Sequence, residues 1–318
     1  MSRFRGEIRV DHYQHTVKKP VRAVGIGLHS GKEISLTISP APADSGICFV
    51  RSDINPTRLI PAEAKHVVDT RFATTIGTEN GTIATIEHLM AALFGAGIDN
   101  ALIDVHGPEV PAMDGSAAPF LRLLENAGRQ KQNSSRKYVK ILEPVSVSRD
   151  GKSLAIQPDN RFHVSFEIEF DHPLIARQRF SSKVTPRMFS RRIGRARTFG
   201  FLKEVEMLKK NGLALGGSLD NAVVIGDTDV VNDGGLRFSD EFVRHKVLDL
   251  IGDLYLLGAP VLGRVKAFKS GHFLHHLLVQ ELLSRPYAWE VVESTGTWRV
   301  PAWGGSHERR VMPAAVNA

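Results

Sequence analysis

A single cysteine, Cys48, stands among 318 residues. One thiol closes no intrachain disulfide and builds no thiolate-only metal cage. Such usage suits a reducing compartment, so the expected location is cytoplasmic. Long apolar runs are missing too. No stretch reaches the roughly 18 uninterrupted apolar residues of a spanning helix. Met1 to Gln14 is charged and lacks the apolar segment of a secretory signal. A soluble protein is expected, with room only for peripheral membrane contact. What is present is ordinary: 42% hydrophobic and 24% charged residues, the balance of a folded globular chain. The length exceeds what one core usually fills, which favours two domains. The formal charge of +7 attracts nucleic acid, an anionic substrate or anionic lipid alike, and charge alone does not choose among them.

The run Arg-Gln-Lys-Gln-Asn-Ser-Ser-Arg-Lys at 129–137 is polar and without apolar periodicity, the pattern of an exposed linker. It divides the chain into an N-terminal extension (1–15), a first domain (16–128), the linker (129–137), a second domain (138–293) and a tail (294–318). In the first domain, strand-like runs at 34–38 and 101–105 alternate with helical patterns at 87–94 and 117–126. In the second, strands at 138–142, 154–157 and 164–170 precede helices near 198–210 and 239–257. Both halves read as α+β rather than as a doubly wound parallel sheet. A faint internal echo links them, since Phe94-Gly95-Ala96-Gly97 and Leu257-Gly258-Ala259 each close a helix with glycine before an apolar strand.

Those two helices carry the least expected polar residues. In Thr85-Ile86-Glu87-His88-Leu89 an acid and a histidine sit in an apolar helix. Neighbouring helical side chains diverge by about 100°, so Glu87 and His88 can flank one point, as a general base beside a metal ligand would. An exposed Glu-His pair is an equally good reading of that segment alone. In Phe242 to Leu254, His245, Asp249 and Asp253 lie four residues apart along one stripe. Gly252 lies among them, at a helix-propensity cost of up to about 1 kcal/mol, so something requires the space. A solvated face with an i,i+4 His-Asp hydrogen bond explains the spacing as well. Together the two helices offer two imidazoles and a carboxylate, the set of a catalytic zinc with an open position; the same set suits ferrous iron.

Other segments are less specific. His272 follows a Ser-Gly turn, a place for a general acid or oxyanion partner. With His275 and His276 it also forms a His-x-x-His-His run that competes as a metal cluster. Arg191, Arg192, Arg195 and Arg197 precede Thr198-Phe199-Gly200-Phe201; they can be a nucleic-acid patch with stacking aromatics, a phosphate site or a solvated helix face. Gly25 to Gly31 has glycines spaced like a phosphate loop but reads better as a strand-to-strand turn. Leu213 to Leu219, apolar and glycine-rich, is either core or the lining of a hydrocarbon channel.

The combination of Gly27-Leu28-His29-Ser30-Gly31, Thr85-Ile86-Glu87-His88-Leu89, Met113-Asp114-Gly115-Ser116-Ala117-Ala118-Pro119-Phe120, Ala196-Arg197-Thr198-Phe199-Gly200-Phe201, Phe242-Val243-Arg244-His245-Lys246 through Asp249, and Lys269-Ser270-Gly271-His272 resembles the UDP-3-O-(3-hydroxyacyl)-N-acetylglucosamine deacetylases. The order is unbroken from about Thr16 to about Trp289. The resemblance implies a zinc-dependent amidase of the committed step of lipid A biosynthesis, with an acylated UDP-sugar as substrate. It implies two similar domains of layered sheet and helices, a site at their interface, and a βαβ insert in the second domain that holds the acyl chain. By position, metal ligands fall on His88, His245 and Asp249 and the general base on Glu87. The imidazolium falls on His272, supported by Asp253, and the oxyanion hydroxyl on Thr198. Lys246 and Phe199 match residues that meet the substrate.

Three positions depart from the pattern. His275 stands where an asparagine is expected, which leaves catalysis untouched and favours adventitious metal. Arg71 occupies a position often apolar near the site, and the two tails lie outside the resemblance. One zinc per chain, with ferrous iron as the alternative, a monomer and no nucleic-acid partner are the remaining expectations. The rival function is a basic nucleic-acid-binding protein.

Overall fold

A computed structural model describes residues 12–79 and 81–294. The first half holds β1 (Tyr13–Val17), β2 (Val21–Ile26), β3 (Glu33–Pro40), β4 (Ile47–Arg51), β5 (Leu59–Pro61), β6 (Val67–Asp69), β7 (Thr75–Thr78) and β8 (Gly81–Ile83). These are followed by α1 (Glu87–Ala96), β9 (Ala101–His106), α2 (Ala118–Ala127) and β10 (Arg129–Ser135). The second half holds β11 (Lys137–Ile141), β12 (Val145–Arg149), β13 (Lys152–Gln157), β14 (Phe162–Glu169), β15 (Arg177–Lys183) and α3 (Pro186–Arg192). It continues through β16 (Phe199–Phe201), α4 (Leu202–Lys210), β17 (Val223–Ile225), α5 (Glu241–Leu254), β18 (Val261–Phe268), α6 (His272–Leu283) and β19 (Trp289–Glu293).

Each half builds one large sheet whose inner face alternates, as a half-buried strand must. Ile34, Leu36 and Ile38 point inward from β3, as do Val164, Phe166 and Ile168 from β14. The first sheet runs β2-β3-β9-β4-β5, with β6, β7 and β8 forming a smaller antiparallel sheet beside it. The second has seven strands around β18, which pairs with β13 on one edge and β14 on the other, and with β11 at its start. Helices α1 and α5 pack on each other; α2 joins α1 to β2, and α6 joins α5 to β12 and β13. The helices therefore form the layer between the two sheets, and the core is continuous through both halves.

The echo between halves is structural. Helix α1 stops at Gly97 (φ 68°) and α5, after a 3-10 turn, at Gly258 (φ 84°), both left-handed conformations that glycine takes at little cost. Each stop feeds the central strand of its sheet, β9 or β18. Strands β16 and β17 are parallel and joined through α4, which makes a βαβ insert in the second half.

Three expected boundaries move. The polar run at 129–137 contains strand β10, antiparallel to β1, and Tyr13 to His15 of the expected N-terminal extension belong to β1. A two-stranded ribbon satisfies its backbone without an apolar face, so periodicity does not reveal it. Within it Gln132 donates to the Ala41 carbonyl and accepts from Asn100. The helix expected from Thr198 starts at Leu202, because Phe199 to Phe201 pair with β17. Residues 1–11 of the extension and 295–318 of the tail lie outside the described residues.

Candidate active site

Backbone contact between α1 and α5 sets the geometry. A Cβ on Gly252 would stand 2.1 Å from the Glu87 carbonyl oxygen, so only glycine lets the start of α1 lie against the middle of α5. That approach brings His88 opposite His245 and Asp249, which share one stripe of α5. Asp249 Oδ1 lies 3.2 Å from His245 Nε2 and 3.5 Å from His88 Nε2, and the two rings meet edge to face at 4.9 Å. All three side chains are buried.

The donor set fits a divalent cation. Among the described residues, the buried Asp249 Oδ1 has no hydrogen-bond partner, although two imidazole nitrogens approach it. Ligands bound about 2.0 to 2.1 Å from a tetrahedral ion lie about 3.3 Å apart, close to the spacing seen. His245 Nδ1 donates to the Ala196 carbonyl at 3.2 Å, which fixes the tautomer and leaves Nε2 with a lone pair toward Asp249. Burial holds the His245 imidazole neutral, with a pKa of about 3. Burial would raise the Asp249 carboxyl, but His245, Lys246 and His88 outweigh it and keep it well below the carboxylate range. Lys246 Nζ donates to Asp249 Oδ2 at 2.9 Å.

Beside this cluster lies a second network. Glu87 Oε2 accepts the Thr74 N–H at 3.0 Å, and burial pushes the Glu87 carboxyl up. The Thr74 hydroxyl donates to Asp253 Oδ1 at 2.6 Å, and His272 Nδ1 donates to Asp253 Oδ2 at 2.8 Å. Burial opposes charge on His272, but Asp253 overrides it, with help from Glu87 and Asp249, and the imidazole is pushed up to about 9. Burial likewise opposes charge on Asp253, whose carboxyl His272 and His275 hold far down. Thr74 thus ties Glu87 to the Asp253–His272 pair. Phe72, Thr85 and Lys269 take positive φ of 64°, 59° and 52°, two or three residues ahead of Thr74, Glu87 and His272. Non-glycine residues adopt this conformation only where packing enforces it.

Thr198 is held by its backbone: its N–H donates to the Gly115 carbonyl and its carbonyl accepts from Val223, each at 2.8 Å. The preceding Arg197 is buried against Glu241, which takes its Nε and its backbone N–H at 2.9 Å each and the Arg237 N–H at 2.6 Å. Phe199 packs edge to face on Phe242 at 4.9 Å and stands 6.3 Å from the His245 ring, with Lys246 Nζ 5.7 Å from its own centroid. Residues from 74 to 272 in sequence therefore converge on one region.

Several other segments acquire a place. Gly27 to Gly31 joins β2 to antiparallel β3, and the buried Glu109 braces it by accepting the N–H groups of His29 and Ser30. Gly216 packs on that turn, where a Cβ would meet the Gly27 carbonyl at 2.2 Å, while Leu215 and Leu219 are exposed. Arg71 is exposed and paired with Asp69 at 2.8 Å. The arginine run is divided: Arg197 is buried against Glu241, while Arg195 stacks on Phe238 and Arg192 on Phe180. Burial of Arg197 takes it out of any nucleic-acid surface, which weakens that alternative. His276 is only half-buried and His275 is fully buried, with both ring nitrogens hydrogen-bonded. Thr74 and Glu241 escaped sequence reasoning. Nothing marks a lone threonine between short strands, and Glu241 looks like any acid in a first helical turn.

Two imidazoles and a carboxylate converging beside a buried acid, between two α+β units, define a metal-dependent hydrolase. The family model of the UDP-3-O-acyl N-acetylglycosamine deacetylases matches residues 14–284, and the chain belongs to this family. A UDP-3-O-acyl-N-acetylglucosamine deacetylase of Syntrophotalea carbinolica is 52% identical over 282 residues, 89% of this chain and 91% of its own length. The protein of that name from Geobacter sp. strain M21 is 52% identical over 89% of this chain and 93% of its own. That from Pseudomonas entomophila is 47% identical over 88% and 93%.

Proposed function

We propose that this protein hydrolyses the acetamide of a UDP-3-O-acyl-N-acetylglucosamine, releasing acetate and a free amine, as a zinc-dependent deacetylase of lipid A biosynthesis. The observation that carries the reading is the buried, unpartnered Asp249 Oδ1 facing two imidazole Nε2 atoms, with Glu87 and His272 alongside. His88, His245 and Asp249 are the ligands in this reading. Zinc is preferred over ferrous iron because hydrolytic zinc sites use such a three-ligand set with one open position. A bound zinc ion would polarise the acetamide carbonyl and acidify the attacking water.

The chain's own groups do the rest. Glu87, whose carboxyl is raised by burial, takes the proton from the attacking water as its oxygen bonds to the carbonyl carbon. The Thr198 hydroxyl and His272 face the charge that develops on the carbonyl oxygen. His272, held as an imidazolium by Asp253, protonates the amine as the C–N bond breaks. Lys246 and Phe199 contact the substrate, and the basic surplus suits its diphosphate.

The reading divides the chain into two units: 16–128, which supplies Glu87 and His88, and 138–293, which supplies the other groups. One chain carries the whole constellation, which supports a monomer. Among the described residues no helix is long and apolar enough to cross a membrane. A cytoplasmic protein with peripheral membrane contact fits a nucleotide sugar that bears an acyl chain. Metal analysis paired with an acetate-release assay, with and without chelator, tests the proposal. Glu87→Gln should keep one ion per chain and lose orders of magnitude in turnover, and a near-normal rate would rule Glu87 out as the base. His245→Ala should lose the ion.

A further inference from the structure

The proposed chemistry gives the buried imidazole of His275 no task. His275 lies on α6 one turn from His272 and is closed to solvent. Its Nδ1 is 2.7 Å from Asp253 Oδ2, the same oxygen that His272 Nδ1 approaches at 2.8 Å. Its Nε2 is 3.1 Å from Ser270 Oγ. A carboxylate only accepts, so both Nδ1 atoms carry protons. Burial keeps the His275 imidazole below its ordinary pKa, hence neutral, and its Nε2 accepts from the Ser270 hydroxyl. Asp253, His272 and His275 are close enough to share an ion, yet their facing atoms are already engaged with one another. The histidine pair is a hydrogen-bond network.

We infer that His275 is a positioning residue: its Nδ1–H shares Asp253 Oδ2 with His272, holds that carboxylate in place alongside Thr74, and limits how strongly Asp253 binds the His272 proton. The direction follows from the shared oxygen. A donor to a carboxylate is worth more when the carboxylate's full charge is available, which is when His272 is neutral. His275 therefore favours neutral His272, and removing it should make His272 more basic. Thr74 still anchors the other oxygen, so Asp253 stays in place. The charged and titratable groups facing His272 are Asp253 and Asp249 from α5, Glu87 from α1, and His29 from the turn after β2, besides His275 on its own helix. His276 also faces Asp253. Among the described residues, His275 and Thr74 are the groups that hydrogen-bond the carboxylate besides His272.

The inference rests on His272 acting as the proton donor proposed above. The test compares the full chain with His275→Leu and His275→Asn, measuring kcat and KM for acetate release from about pH 6 to 10 with zinc present. The asparagine amide nitrogen sits at the same point along the side chain as Nδ1 and keeps an N–H for Asp253. In the leucine variant the alkaline limb should move up by about half to one pH unit, a roughly three- to tenfold change in proton affinity. Its kcat near neutral pH should fall several-fold with KM unchanged, and the asparagine variant should keep the wild-type limb. A leucine limb that coincides with wild type, or an asparagine limb that moves with leucine, overturns the inference. Absence of acetate release by zinc-loaded wild type would instead defeat the deacetylase reading. Side-chain nitrogen NMR of the wild type is independent of variant folding. It should find His275 as the Nδ1–H tautomer throughout while His272 titrates, and an Nε2–H tautomer overturns the inference.

Discussion

Gly252 and Glu87 touch through their backbones: a Cβ on residue 252 would stand 2.1 Å from the Glu87 carbonyl oxygen and 2.9 Å from its carbonyl carbon. Glycine in mid-helix ordinarily yields to alanine with a gain of up to about 1 kcal/mol. Here the sign reverses, because the atoms that Cβ would strike are backbone and neither helix can yield without carrying His88 away from His245. Gly252→Ala should destabilise the protein by about 1 to 3 kcal/mol, the usual range for overpacking. Deacetylation should fall further than stability explains, since Glu87 and His88 both ride on the displaced turn. Urea denaturation and acetate release on the same preparation check this, and a variant as stable and active as wild type would contradict it.

That contact also marks what the sequence could and could not reveal. Gly252 stood out as a helical glycine among polar residues, so the need for space was legible, but its neighbour was not. The His245–Asp249–Asp253 stripe was legible from helical spacing, and the glycine stops at Gly97 and Gly258 from composition. The joining of α1 to α5, about 160 residues apart in sequence, needed the family resemblance or the fold. Thr74 was invisible, because its role depends on donating from its backbone to Glu87 and from its hydroxyl to Asp253. The β1–β10 ribbon was misread because its stability comes from backbone pairing and polar side-chain bonds.

His272 and Asp253 predict a pH signature. The His272 pKa is raised in the folded chain to about 9, above its ordinary value. Its contribution to stability is therefore full below about pH 6.5 and is lost as pH rises toward 9. Asp253 is shifted downward, so its contribution is present above about pH 4 and lost only in stronger acid. Activity that needs His272 protonated should fall on an alkaline limb near pH 9. Asp253→Asn removes the anion and leaves burial to lower the His272 pKa, so this limb should move well into the neutral range. The kcat/KM profile measures it: activity at about pH 8 should fall far more than at about pH 6. Equal losses at both would show that Asp253 acts without setting the His272 charge.

Metal binding should stabilise the fold as well as the reaction. His88 comes from α1, and His245 and Asp249 from α5, so an ion held by all three cross-links the two halves. A ligand at a hundred times its dissociation constant adds about 2.7 kcal/mol. For a chain of this size that corresponds to a Tm rise of roughly 4 °C when zinc is restored to chelated protein. His88→Ala and His245→Ala should each abolish the rise. If either variant kept it together with one tightly bound ion, the ligand assignment would be wrong.

The buried pair of Arg197 and Glu241 should prove essential to the site without touching substrate. Glu241 is fully buried and accepts from the Arg197 guanidinium, the Arg197 N–H and the Arg237 N–H. It thereby fixes the segment that presents the Ala196 carbonyl to His245 and carries Thr198. Glu241→Leu strands a guanidinium in the interior and should cost about 3 to 5 kcal/mol. Adding Arg197→Met removes that charge, and for an isolated ion pair such a double change often restores stability. Here two backbone N–H groups would still lack their acceptor, at about 1 to 3 kcal/mol each. The double variant should therefore recover only part of the loss in urea denaturation, and its deacetylation rate should stay low because Thr198 and Ala196 are no longer held. Full recovery of both would show that the pair is only a replaceable packing element.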